Sequence, residues 1–209
     1  MNENKIVISG VASSVTFHHE AYGVYYYQTS VAVTRRSGNI DYLDVVARDE
    51  IFGAYDYEGQ EVVVHGAIRS RMDKNQMSEA YVAADTIEIL DAPVAGGDLN
   101  KVEVEGFICN KNIEGKYTPV TRRYILNLFL AIRRNNKRNG RADYIPCCIW
   151  GKTAKEIEKQ VEQGSKIKIT GMLLSRELYK NGEFVSAPEI SVNSVEVLDE
   201  NKNNRIKKN

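Results

Sequence analysis

Apolar and polar residues alternate along much of this chain with a period of two, the mark of a half-buried strand. Val102 and Val104 alternate with acidic residues ahead of Gly106, and Lys166-Ile167-Lys168-Ile169-Thr170 alternates strictly. Tyr179-Lys180-Asn181-Gly182-Glu183-Phe184 carries the Asn-Gly signal of a hairpin between two strands. One helical period stands out, over about Thr153–Gln163. Ala154, Ile157 and Val161 form its apolar face, and Gly164 follows as a stop.

The same pattern is written twice. Ile6 to Gly10-Val11 is matched by Val102 to Gly106-Phe107. Tyr26 through Ala32-Val33-Thr34-Arg35-Arg36 is matched by Tyr124 through Leu130-Ala131-Ile132-Arg133-Arg134. Asp41-Tyr42 recurs as Asp143-Tyr144, Gly59 and Gly66 as Gly164 and Gly171, Ser70-Arg71 as Ser175-Arg176, and Ile87 to Ile89 as Val195 to Val197. The spacing between partners grows along the chain, so insertions fall in loops, where they are tolerated. Pro93, Gly96 and Gly97 interrupt both periodicities, which puts the boundary near residues 91–98. Each copy reads strand, strand, strand, helix, strand, strand, the order of a five-stranded OB barrel. The expected fold is therefore mainly β, with two tandem OB barrels and a helix or helical turn between strands three and four of each. Domain 1 is read as 1–92, a linker as 93–98, domain 2 as 99–199, and 200–209 as a disordered basic tail. In the first copy the helical region, Asp49–Glu58, holds Gly53 and three aromatics and is expected to be short or irregular.

Composition narrows the class. With 209 residues, 43% hydrophobic and 27% charged, the chain is too apolar to be disordered. No run approaches the roughly 18 apolar residues of a membrane span, and the N-terminus lacks the pattern of a secretory signal. Cys109, Cys147 and Cys148 are too few for a disulfide framework, which favours a reducing cytoplasm. The formal net charge is zero, yet it is unevenly spread: residues 1–92 carry 7 basic and 14 acidic side chains, and residues 93–199 carry 17 and 13. A polyanion would meet a different field on each half.

The densest basic run is Arg133, Arg134, Lys137, Arg138 and Arg141, between strands two and three of the second copy. Beside an aromatic strand such a loop follows phosphates without reading sequence; as a bland alternative it is a solvated loop. Tyr144, Pro146, Cys148 and Trp150 are expected on one strand face, opposite the core residues Ile145, Cys147 and Ile149. Tyr144 is read as a base-stacking ring. Trp150 either stacks a base or closes the barrel end under the helix. The twelve tyrosines suit a wet groove or a small β core alike. Adjacent strand cysteines point to opposite faces, and His18-His19 has no chelating spacing, so no metal is expected. No phosphate loop, nucleophile elbow or HExxH pattern is present, and neither enzymatic activity nor a cofactor is expected.

These residues resemble a family. Gly106-Phe107-Ile108-Cys109, Thr118-Pro119, Leu128 to Arg134, Asp143 to Cys147, Ile149-Trp150-Gly151-Lys152, Gly164 to Gly171 and Ser175-Arg176-Glu177 resemble the bacterial single-stranded DNA-binding protein. The likeness is to the tandem-OB form of clostridial-type Gram-positive bacteria and their mobile elements. The first half matches more loosely, through Gly10-Val11, Tyr22-Gly23, Arg35 to Gly38, Asp41 and Gly66. The resemblance implies a sequence-tolerant binder that coats single strands in replication, repair and recombination. Four barrels per assembly imply a homodimer for a chain with two. Tyr144 and Trp150 fall where the family stacks bases, and Tyr179 falls near a third stacking position, shifted by Leu178. Arg176, Arg35, Arg36 and Arg71 complete the expected DNA-binding set. One departure is plain: the chain ends in Lys202, Arg205, Lys207 and Lys208 without an acidic Pro-Phe tip, which removes the basis for expecting repair-protein docking. The competing reading is an OB adaptor whose faces bind protein, supported by the acidic first half. An OB nuclease would need an acidic metal cluster that the spacing does not offer. A cytoplasmic, nucleoid-associated location follows, and the second copy is expected to supply most of the affinity.

Overall fold

The computed structural model describes residues 3–72, 78–134, 141–180 and 183–198; at 72, 78, 177–180 and 183–186 it describes the backbone alone. The chain is mainly β, as the alternation implies. Its first half runs β1 (Asn4–Ala12), β2 (Thr16–Ala21), β3 (Val24–Thr34), β4 (Ile40–Arg48), α1 (Asp49–Phe52), β5 (Glu61–Met72) and β6 (Ser78–Ile89). The second runs β7 (Asn100–Ile108), β8 (Lys116–Tyr117), β9 (Tyr124–Arg133), β10 (Ala142–Trp150), α2 (Gly151–Glu158), β11 (Lys166–Lys180) and β12 (Glu183–Val197).

Five strands of each half pair in a closed ring: β3-β4-β6-β5-β1 returns to β3, and β9-β10-β12-β11-β7 returns to β9. The side chains that alternate inward fill one continuous apolar core, with Ile6, Ile8, Val33, Leu43 and Val64 from the first half and Val104, Leu128, Leu130, Ile145 and Ile167 from the second. Burying each such side chain stabilises by about 1.5–3 kcal/mol. Closure demands a bend, and both halves place it at the same point. The register of β5 with β6 shifts at His65/Gly66, and that of β11 with β12 at Thr170/Gly171. A Cβ at Gly66 would strike the Ala83 carbonyl, and one at Gly171 that of Ser191. Only glycine lets the bulged strand approach so closely. A matched asparagine then takes over from the ladder. The Asn4 amide exchanges hydrogen bonds with Ile68 at 2.9 and 3.0 Å, and Asn100 with Leu173 at 2.7 and 2.9 Å.

The halves join edge to edge. β1 pairs antiparallel with β7 from Asn4↔Val104 to Ile8↔Asn100. The central pair is Ile6 with Val102, its own repeat partner, so the seam has a local two-fold axis. Lys168 bridges Glu3 and Glu103 on the solvent side, and hydrogen bonds from Lys168 and Lys5 hold the Glu3 carboxyl down at about 2.

Two local expectations change, at α2 and at Cys148. The helix spans Gly151–Glu158 rather than Thr153–Gln163; the Gln160 and Val161 amides turn back to the Ile157 carbonyl, ending it in a tight turn that still buries Val161. In the first half α1 is one turn long, and Phe52 and Tyr57 pack edge-on at 5.5 Å beneath it. Cys148 is buried like Cys147, not exposed beside Tyr144, with the side chains of Glu189 on the adjacent β12 and Arg176 on β11 beyond it close by.

Candidate nucleic-acid interface

Cross-strand register assembles an outward face on the second half. Phe107 on β7 lies opposite Ala131 on β9, which lies opposite Tyr144 on β10. One step along, Phe129 faces Pro146. Tyr144 is 51% exposed and Phe129 45%, while Phe107 is half-buried. The Arg133 guanidinium sits 5.5 Å from the Phe107 ring centroid. Apolar rings beside a cation, on a pleated and solvent-facing surface, suit base stacking next to phosphate.

Trp150 ends β10 and caps α2. It is half-buried, and the Arg123 guanidinium lies 5.2 Å from its ring. On the other side of the same strand end, Tyr117 and Tyr124 meet edge-on at 5.0 Å, with Lys155 5.2 Å from each ring. The Tyr124 hydroxyl donates to Glu158 at 2.6 Å.

The predicted arginines fall into two groups. Arg36, Arg133 and Arg141 are exposed, and Arg36 opens on a cleft of about 1090 Å³ between residues 95–99, the β3–β4 loop and β11. The others are tied to carboxylates. Arg71 pairs with Glu79 at 3.0 Å, lies near Asp44 at 3.9 Å, and contacts His18 and the Tyr81 ring. Arg176 pairs with Glu189 at 2.6 Å. Arg35 holds Asp41, and Arg134 holds Asp143 at 2.6 Å; both aspartate side chains are fully buried. Breaking a buried pair by removing one partner costs about 3–5 kcal/mol. The structure thus separates Arg134 from the loop cations with which the sequence grouped it. It also corrects the repeat register: Val33 opposes Asp41 as Ile132 opposes Asp143, so Arg35 corresponds to Arg134, not to Arg133. Lys137, Arg138 and the basic tail lie outside the described residues; Tyr179 is placed on β11 opposite Phe184 by its backbone alone.

Sequence reasoning missed Phe107, Phe129 and Arg123. Phe129 was legible as an outward position of the alternating run Leu128-Phe129-Leu130-Ala131-Ile132. Burial pushes the Cys148 thiol up to about 11 and Cys147 higher still, so both are neutral hydrophobes at physiological pH. Among the described residues no group of three His, Cys, Asp or Glu side chains could hold a metal, and no helix is long and apolar enough to cross a membrane.

Residues 99–198 match the model of the single-strand binding protein family. Half of this chain is 32% identical to 82% of single-stranded DNA-binding protein 1 of Streptococcus pyogenes serotype M18. A 48% share is 31% identical to 72% of single-stranded DNA-binding protein 3 of Clostridium acetobutylicum. The fold extends further than the sequence match. The wild-type single-stranded DNA binding protein of Thermus aquaticus superposes with a TM-score of 0.72 over 95% of this chain and 94% of its own, at 20% identity.

Proposed function

The chain belongs to the single-strand binding protein family, and from that premise we propose that it coats single-stranded DNA without reading its sequence, as a non-enzymatic binder in replication, repair and recombination. The observation that carries this is the outward face of Phe107, Phe129 and Tyr144 with Arg133 above it. Stacking on such rings is worth about 1–3 kcal/mol per base, and every base has a face to offer. An adaptor role is less well supported, since the relatives named above are DNA-binding proteins.

In finer detail, each half is an OB barrel, residues 1–92 and 99–199, joined by the 93–98 linker, and two chains associate to bring four barrels together in the cytoplasm. Tyr144, Trp150 and Tyr179 stack bases, and Arg36, Arg133, Lys137, Arg138 and Arg141 line the phosphate path. Titration of the full chain with oligo-dT and with duplex DNA of equal length tests the reading. Binding of oligo-dT should be tighter by at least about two orders of magnitude, with log K falling as log salt rises. Equal affinity for both, or binding that ignores salt, contradicts it. Light scattering of the same sample should give the mass of two chains.

A further inference from the structure

We infer that Asp41 with Arg35, and Asp143 with Arg134, are positioning residues that clasp the two halves at one mutual angle so that a single strand meets both outward faces at once. The inference rests on the binding function proposed above.

The clasp occurs twice, related by the two-fold of the seam. Asp143 Oδ1 accepts the Ser70 amide of the opposite half at 2.8 Å, and Arg134 donates to the Ser70 carbonyl at 3.0 Å. Asp41 Oδ1 accepts the Ser175 amide at 2.7 Å, and Arg35 donates to the Ser175 carbonyl at 3.4 Å. Each serine lies on the long hairpin of the half opposite its aspartate, and Arg69, beside Ser70, adds a bond to Asp143 at 3.1 Å. A guanidinium held by a fully buried carboxylate and a carbonyl cannot turn to a phosphate without giving up its bonds to both. In each half the aspartate immediately precedes an exposed tyrosine, Tyr42 or Tyr144. The Tyr144 amide itself donates to Ser70 Oγ at 2.9 Å. The aspartate–arginine contacts to the serine backbone thus fix the angle between the halves, while the separate bond to Ser70 Oγ seats the ring. Two binding faces held rigidly act on one strand with a high effective concentration, and a loosened joint lowers it.

The test compares the full chain with Arg134→Gln, Arg134→Lys and Asp143→Asn, using dT of about 8 nucleotides, within reach of one barrel, and of about 35 nucleotides, spanning both. The clasp predicts roughly tenfold weaker binding of the long oligonucleotide. Binding of the short one should change by less than about twofold, the salt slope should not change, and lysine, a point charge without the guanidinium fork, should not rescue. A merely structural arginine would not move the long-to-short ratio. A phosphate-contacting arginine would weaken both lengths, lower the slope by about 0.7 and be largely restored by lysine; either result overturns the inference. Arg35→Gln, in the matching clasp on Ser175, replaces any variant that does not fold and should shift the ratio in the same direction. Failure of the unaltered chain to bind either oligonucleotide would defeat the binding reading itself.

Discussion

The outward faces of the two halves can be laid over each other position by position. Where the second half presents Phe107, Phe129, Tyr144, Pro146 and Arg133, the first presents Val11, Ser30, Tyr42, Asp44 and Thr34. The strand end that carries Trp150 carries Arg48 instead. Only the tyrosine survives, 61% exposed in the first half and 51% in the second. The backbone frame, the bulges, the asparagine staples and the aspartate clasps are duplicated, whereas the surface chemistry is not. Features that close each ring of strands are dictated by packing and backbone geometry, so both copies keep them. The solvent-facing side chains are free to differ, and here the first face has two rings and a cation fewer and one carboxylate more.

The sharpest test of this contrast is to remove the shared ring from each side in the full chain. Tyr144→Ala should weaken oligo-dT binding by about 1–3 kcal/mol, or roughly 5- to 150-fold. Tyr42→Ala, with Asp44 beside it, should change binding by about twofold or less, because isolated stacking next to a carboxylate contributes little. Equal losses would mean that the two faces bind alike despite their composition. A smaller effect is expected at the strand end. Oligo-dT should quench the fluorescence of Trp150, the single tryptophan. Trp150→Ala should cost near the lower end of the same range, about 1 kcal/mol, because Arg123 already occupies one side of the ring. Full affinity in a folded Trp150→Ala variant would make that residue a barrel cap. The smallest effect concerns charge. Arg133→Ala should reduce the slope of log K against log salt by about 0.7, and Thr34→Arg, its counterpart in the first half, should raise it by a similar amount. A slope that ignores both would take phosphate off these faces.

Much of this was legible before any coordinates. Val102-Glu103-Val104 and Lys166 to Thr170 alternate as strands do, and Gly66 with Gly171 marks the bend because no other residue fits there. What escaped was tertiary. An Arg-Arg doublet aligns equally well in two registers, and only the strand register shows that Arg35 corresponds to Arg134 and not to Arg133. Nothing local distinguishes a loop arginine from one whose partner, Asp143, is buried against the other half. Cys148 follows the outward alternation, but the Arg176–Glu189 pair beside it comes from strands far along the sequence. Asn4 and Asn100 correspond in the repeat, yet only the end of each ladder reveals what their amides do.

The seam between β1 and β7 also bears on how the chain is made. Once Ile89 has emerged from the ribosome the first ring can close, but the Asn4–Ile8 edge of β1 still lacks its outer neighbour. An unpaired edge of this kind is a template for unwanted pairing with other nascent chains. The strand that covers it, Asn100–Ile108, follows after only about twenty further residues, which is roughly one to four seconds of synthesis at 5–20 residues per second. Two separate copies of such a half would have to find each other by diffusion while that edge waited. Here the cover arrives on the same polypeptide, so the interval of exposure is set by translation speed and not by concentration.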